Sequence, residues 1–157
     1  MPGTAPELPF FVYGTLLPGE PNHDLFLRGR AVAEQPALLP GALLYEGPGY
    51  PYAIEGHGTV HGVLVTAAPG AGAELLARLD RLERYLGAGH PDNLYERVVR
   101  EVRLQAGRRT GTGAGTGTGT SRAWVYLAAA SVTRSLRTRG TPVPGGNWLT
   151  RRPPSGR

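Results

Sequence analysis

Neither cysteine nor lysine occurs among the 157 residues. The lack of cysteine excludes disulfides, a thiol nucleophile and thiolate-held metals, and it fits either redox compartment. Any catalysis therefore falls to carboxylate, hydroxyl or imidazole groups. No stretch approaches the ~20 apolar residues of a membrane helix, and residues 1–7 lack the basic and apolar regions of a signal peptide. A soluble, cytoplasmic protein without membrane contact is expected. Acid is missing from the whole second part: residues 102–157 hold ten Arg and no Asp or Glu, against seven Arg and twelve acids in residues 1–101. The net charge of +5 is thus −5 followed by +10. Such asymmetry can mark nucleic-acid binding, but these Arg are scattered among Gly and Thr, with no reader motif. Nucleic acid is disfavoured as a partner.

What is present begins with residues 10–19, Phe-Phe-Val-Tyr-Gly-Thr-Leu-Leu-Pro-Gly, followed by Pro21-Asn22. An apolar run bounded by turn residues reads as a buried strand. A Gly at its end permits a close approach that a Cβ would block, and amides in such a turn can converge on an anion. Backbone, rather than side chain, is expected to meet a ligand here.

The length suits one domain, expected over residues 1–150. After the first loop, residues 22–28 suggest a short helix with Asn22 as N-cap and Leu25 and Phe26 inward. Short apolar pieces at 31–33, 37–45, 52–54 and 59–66 read as sheet. Residues 71–86 change period: Leu75, Leu79, Leu82 and Leu86 recur at steps of four, three and four, predicting the one long amphipathic helix. Strands return at 94–104 and 122–128. Between them, a Gly/Thr-rich insertion over residues 108–121 is too poor in apolar groups to repay its ordering, so a flexible excursion is expected. Residues 151–157 are expected to be a disordered basic tail.

Among titratable groups Glu83 stands out, at the margin of the apolar face of the 71–86 helix. Partial desolvation there raises a carboxyl pKa toward the range where it can accept and return a proton. The competing reading is a surface acid paired with an Arg. Asp80 is expected to pair with Arg84 at i,i+4. His57 and His61 lie four apart on strand and turn and share no metal-binding face, while His23 and His90 stand alone. No Gly-Lys-Ser/Thr phosphate loop is present. Tyr13, Tyr95 and Tyr126 read as core or rim residues, each able to orient a polar ligand at a strand end.

Taken together, Tyr13-Gly14-Thr15-Leu16-Leu17-Pro18-Gly19 with Pro21-Asn22, then Leu79-Asp80-Arg81-Leu82-Glu83, then Tyr95-Glu96-Arg97-Val98-Val99 resemble the γ-glutamylcyclotransferase-like family, of the γ-glutamylamine cyclotransferase type. Trp124-Val125-Tyr126 and Pro144-Gly145-Gly146-Asn147-Trp148 look like its closing strand and tail. The resemblance implies an α+β fold: a mixed β-barrel flanked by one long and one or more short helices. It also implies a cofactor-independent cyclisation of a small γ-glutamyl substrate, in which the α-amine attacks the γ-carbonyl to release 5-oxoproline and a free amine. Glu83 falls at the family's catalytic position. Tyr13, Gly14, Thr15 and Leu16 match its substrate-binding loop, and Tyr126 is a further substrate-binding candidate. No metal or cofactor is implied, and a monomer or weak homodimer is expected. One departure is Arg84, where the family usually has Gly. A non-catalytic small-molecule binding module on the same fold is the alternative, and a basic interaction protein using residues 102–157 a third.

Overall fold

The computed structural model describes residues 8–17, 20, 22–27, 29–47, 50–105 and 119–150. Five strands form a closed barrel: β1 (Phe10–Val12), β2 (Ala31–Glu46), β3 (Pro51–Ala67), β4 (Tyr95–Leu104) and β5 (Gly119–Ala128). Their order around the barrel is β1-β3-β2-β4-β5. All neighbours run antiparallel except β1 and β5, which meet in parallel at Phe10 and Trp124. Two helices flank the barrel, α1 (Gly72–Leu82) and α2 (Ala130–Arg139). The expected α+β mixed barrel is therefore the fold.

The four short apolar pieces between residues 31 and 66 are in fact one hairpin. Strands β2 and β3 pair from Ala31 and Ala67 to Glu46 and Pro51, with register shifts beside Ala31 and at Pro40/Ala42. Pro40 has no N–H to give the ladder, and the left-handed Gly41 (φ 76°) beside it lets the strand bulge and continue. Proline thus bends this strand rather than ending it.

Alternation fills the barrel. Leu44, Val60, Val65, Val102 and Val125 are buried, and Phe11 from β1 lies among them. Each buried side chain of this size contributes about 1.5–3 kcal/mol relative to exposure. Helix α1 adds Leu75 and Leu79, both 0% exposed. The helix stops at Leu82, four residues earlier than its leucine period suggests, and Leu86 is left 59% exposed.

Three further expectations are corrected. Residues 23–27 form a π-helical turn, and Asn22 does not cap it: the Asn22 Nδ2 donates to Thr15 Oγ1 at 2.9 Å instead. Strand β5 starts at Gly119, because Gly119–Ser121 complete the ladder opposite Leu104, Arg103 and Val102. Residues 119–121 of the Gly/Thr-rich segment are thus strand, while residues 106–118 lie outside the described residues, as do residues 151–157. Helix α2 was not foreseen, since its only apolar inward contacts are the half-buried Val132 and Leu136. After α2 the chain returns to the hairpin, where Val143 N–H donates to the Leu44 carbonyl at 2.8 Å and Trp148 is buried. Among the described residues no helix is long and apolar enough to cross a membrane.

Candidate active site

Helix geometry sets Glu83. Leu75 and Leu79 are one turn apart on the buried face, and Glu83 is the next position on that face. The helix ends there: Glu83 N–H still donates to the Leu79 carbonyl at 2.9 Å, Arg84 N–H to Arg81 at 3.3 Å, and Tyr85 N–H to Asp80 at 2.9 Å. The last two bonds form a Schellman ending, which requires a left-handed residue after the cap. Arg84 occupies that position at φ 56°, the one non-glycine residue with positive φ among the described residues. The usual Gly of the resembled family thus has a conformational reason, which this chain overrides.

The floor is the turn after β1. Leu17 N–H donates to the Gly14 carbonyl at 3.0 Å, and Asn22 holds Thr15 from both sides, through its own N–H to the Thr15 carbonyl at 3.1 Å and through its side chain to Oγ1. Gly14 packs on Pro51: a Cβ there would stand 2.7 Å from both Cγ and Cδ of the proline ring. Among the described residues nothing accepts a hydrogen bond from the N–H groups of Gly14, Thr15 or Leu16. Buried backbone donors are rarely left so, and three in succession form a concavity suited to an anion or a polarised carbonyl.

Loop and helix meet in one cavity. Tyr13, Gly14, Thr15, Leu16, Glu83 and Tyr126 all line it. All six residues singled out in the sequence are thus brought together. Tyr95, Tyr50 and Pro51 complete the wall. Tyr95 was read as a core or rim residue able to orient a polar ligand at a strand end but not assigned to the site; the available signal was its place at the head of a strand, two residues before Arg97 and therefore on the same face.

The tyrosine wall is held by hydrogen bonds of fixed direction. Tyr13 donates its hydroxyl to the Tyr126 carbonyl at 2.5 Å and accepts from Ala53 N–H at 3.3 Å. Tyr95 donates to the Pro51 carbonyl at 2.6 Å, and Tyr126 to Asp80 Oδ1 at 2.6 Å. The same Asp80 oxygen pairs with Arg97 Nε at 2.8 Å. Asp80 therefore does not serve Arg84, as spacing suggested; it ties the end of α1 to the β4–β5 ribbon, where Arg97 and Tyr126 are register partners. The Arg97 guanidinium is stacked 4.4 Å from the Trp124 ring centroid and 5.1 Å from that of Tyr85, which fixes its plane.

Burial pushes the Glu83 carboxyl up to about 7. Part of its surface opens to the cavity, but the protein encloses it elsewhere and, among the described residues, no hydrogen bond or cation compensates its charge. The reading of Glu83 as a surface acid paired with an Arg is thereby set aside. The hydroxyls of Tyr13, Tyr95 and Tyr126 are all pushed above the usual phenol range, first by burial and further by the Glu83 charge, with the Asp80 hydrogen bond adding to Tyr126.

The histidines lie elsewhere. His23 does not stand alone but contacts Glu34 at 2.7 Å, and His90 Nδ1 accepts from Asp92 N–H at 3.0 Å. Among the described residues no three His, Asp or Glu side chains are grouped to hold a metal ion.

Residues 10–150 match the family model described as gamma-glutamyl cyclotransferase, AIG2-like. Gamma-L-glutamyl-butirosin B gamma-glutamyl cyclotransferase of Niallia circulans is 34% identical over 101 residues, 64% of this chain and 62% of that protein. The match therefore spans less than two thirds of that relative's length. Two solved structures share the fold: an AIG2-like protein from Mus musculus (TM-score 0.59, 22% identity, 96% of this chain and 98% of that one) and an uncharacterised protein from Pyrococcus horikoshii (TM-score 0.59, 22% identity, 90% and 89%).

Proposed function

The chain belongs to the AIG2-like gamma-glutamyl cyclotransferase family, and from that premise we propose that it cyclises a γ-glutamyl amine or peptide, releasing 5-oxoproline and the free amine, with Glu83 as general acid and base. The observation that carries this reading is the convergence of an uncompensated, half-buried carboxylate and a run of unsatisfied backbone donors on one cavity.

The chemistry asks for little more. Nucleophile and electrophile belong to one molecule, so holding the γ-glutamyl chain in a ring-like conformer supplies much of the rate through effective molarity. The substrate's α-ammonium gives a proton to Glu83. The freed amine attacks the γ-carbonyl carbon and a new C–N bond forms. The negative charge developing on the carbonyl oxygen is stabilised by donors such as those of Gly14–Leu16. Glu83 then returns the proton to the departing nitrogen and the old C–N bond breaks, while the ring nitrogen gives up its second proton through Glu83 to the released amine, which leaves as an ammonium ion. Charge and protons balance, and no water is consumed. A carboxyl group with a pKa near the working pH suits both transfers.

The test is product identity. A panel of γ-glutamyl amino acids, γ-glutamyl-lysine isopeptide and a γ-glutamyl natural-product amine is incubated with the protein and followed by mass spectrometry. Equimolar 5-oxoproline and amine are expected from at least one member. Free glutamate as the sole product would mean hydrolysis and would overturn the cyclisation; no product from any member would overturn the enzyme reading.

A further inference from the structure

Three hydroxyl groups beside Glu83 would ordinarily be taken as donors to a reacting carbonyl. Their partners forbid it. A backbone carbonyl or a guanidinium-paired carboxylate offers only lone pairs, so each tyrosine must be the donor in its bond. Tyr13 gives its proton to the Tyr126 carbonyl, Tyr95 to the Pro51 carbonyl and Tyr126 to Asp80. All three protons point into the protein frame. Tyr13 also accepts from Ala53 N–H, which leaves it a buried strut. The Tyr95 and Tyr126 oxygens are different: among the described residues no group donates to either, and both residues line the cavity with Glu83. Each retains lone pairs and has no proton to offer.

The cavity is therefore divided. Its Gly14–Leu16 side carries donors, and on its Glu83 side the Tyr95 and Tyr126 hydroxyls offer lone pairs beside the carboxylate. We propose that the Tyr95 and Tyr126 hydroxyl oxygens, together with Glu83, form the seat of the substrate's α-ammonium, with Asp80 and Arg97 as positioning residues that keep the Tyr126 proton turned away. This rests on the proposed reaction and adds to it which end of the substrate faces which wall. An ammonium has three N–H bonds and no lone pair, which matches the acceptors offered by Glu83, Tyr95 and Tyr126. It sets the nitrogen beside the carboxylate that must take its proton, and it leaves the oxygens of the substrate to the opposite, donor side. A tyrosine wall also tolerates the next state. Once deprotonated, the amine can still donate a hydrogen bond to either oxygen while its lone pair turns to the γ-carbonyl.

L-Glutamate and glutarate differ only in the α-ammonium and are inert to cyclisation by loss of an amine, so their affinities are measured by calorimetric titration in the wild type, Tyr126→Phe and Tyr95→Phe. Phenylalanine keeps the ring and removes the acceptor. The preference for L-glutamate over glutarate is expected to fall about tenfold in Tyr126→Phe, the scale of one hydrogen bond to a charged group, with glutarate affinity held within twofold. Tyr95→Phe is expected to act the same way and gives a second reading should the first variant be unstable. An unchanged preference in both variants, or equal loss for both ligands, would overturn the seat. If wild-type protein releases 5-oxoproline and the preference is unchanged, the seat alone fails. If the preference falls but no γ-glutamyl compound is cyclised, the seat stands and the reaction fails.

Discussion

Gly14 and Pro51 touch so closely that the smallest possible side chain at residue 14 would stand 2.7 Å from two carbons of the proline ring. The contact joins the turn after β1 to the first residue of β3, and Pro51 in turn accepts the Tyr95 hydroxyl. Gly14→Ala must push the turn away from the wall. The expected cost is about 1–3 kcal/mol of stability, typical of overpacking, with at least a tenfold drop in kcat/KM because the turn's amides leave their positions. Denaturant unfolding and steady-state kinetics check the two halves separately.

Glu83 is expected to weaken the fold at the pH where it works. Its carboxyl is raised from 4.5 to about 7, so between these values the folded state holds a proton that the unfolded chain has released. Stability contributed by this group is full below about pH 4.5 and is lost as pH rises through about 7, by up to roughly 3 kcal/mol. Glu83→Gln carries no such penalty. At pH 8 it is expected to melt at a higher temperature than the wild type, with the difference vanishing near pH 4.5; thermal scans across this range decide it.

The same group sets the rate profile. If the ionised carboxylate takes the first proton, kcat/KM rises with pH through an inflection near 7, the value to which burial pushes Glu83. Kinetics from pH 5 to 9 at constant ionic strength read this directly. A profile flat from 6 to 8 would separate the rate from Glu83.

Arg84 holds a left-handed conformation at φ 56° that glycine adopts without penalty. Arg84→Gly relieves that strain but adds freedom to the unfolded chain. The net expectation is a gain of about 0.5–1 kcal/mol, measured as a shift of the urea midpoint at unchanged slope.

Asp80 accepts from the Tyr126 hydroxyl and forms an ion pair with Arg97. Asp80→Ala strands a partly buried guanidinium and frees the Tyr126 hydroxyl. A loss of about 2–4 kcal/mol is expected from the uncompensated charge, larger than Glu74→Ala costs on the exposed side of the same helix, where the Arg78 pair is open to solvent. Parallel denaturation of the two variants gives the comparison.

How much of this was legible in the chain depended on the range of the signal. Glu83 was visible because a helical period fixes which residues share a face, and the Gly14 turn because an apolar run ended in a glycine. The resemblance joined them. What escaped notice was what depends on pairing between distant segments. Spacing offered Arg84 to Asp80, but Schellman closure turns the chain at Arg84, and the barrel's register brings Arg97 and Tyr126 instead. Pro36 fell in a break between the apolar pieces, yet the β2–β3 pairing carries the strand past it. Helix α2 left almost no periodic trace, since Val132 and Leu136 are its only apolar inward contacts. The hydroxyl directions that divide the cavity could be read only from the acceptors themselves.

The most direct test of the central claim is the rate of 5-oxoproline formation by the wild type and by Glu83→Gln, on whichever γ-glutamyl substrate the wild type cyclises best. The variant keeps the shape of the side chain and loses the base. A fall in kcat of about 10²–10⁴-fold, the usual weight of a positioned acid–base group, with the melting temperature at pH 8 kept or raised, is the expected result. Turnover by Glu83→Gln at the wild-type rate would contradict it.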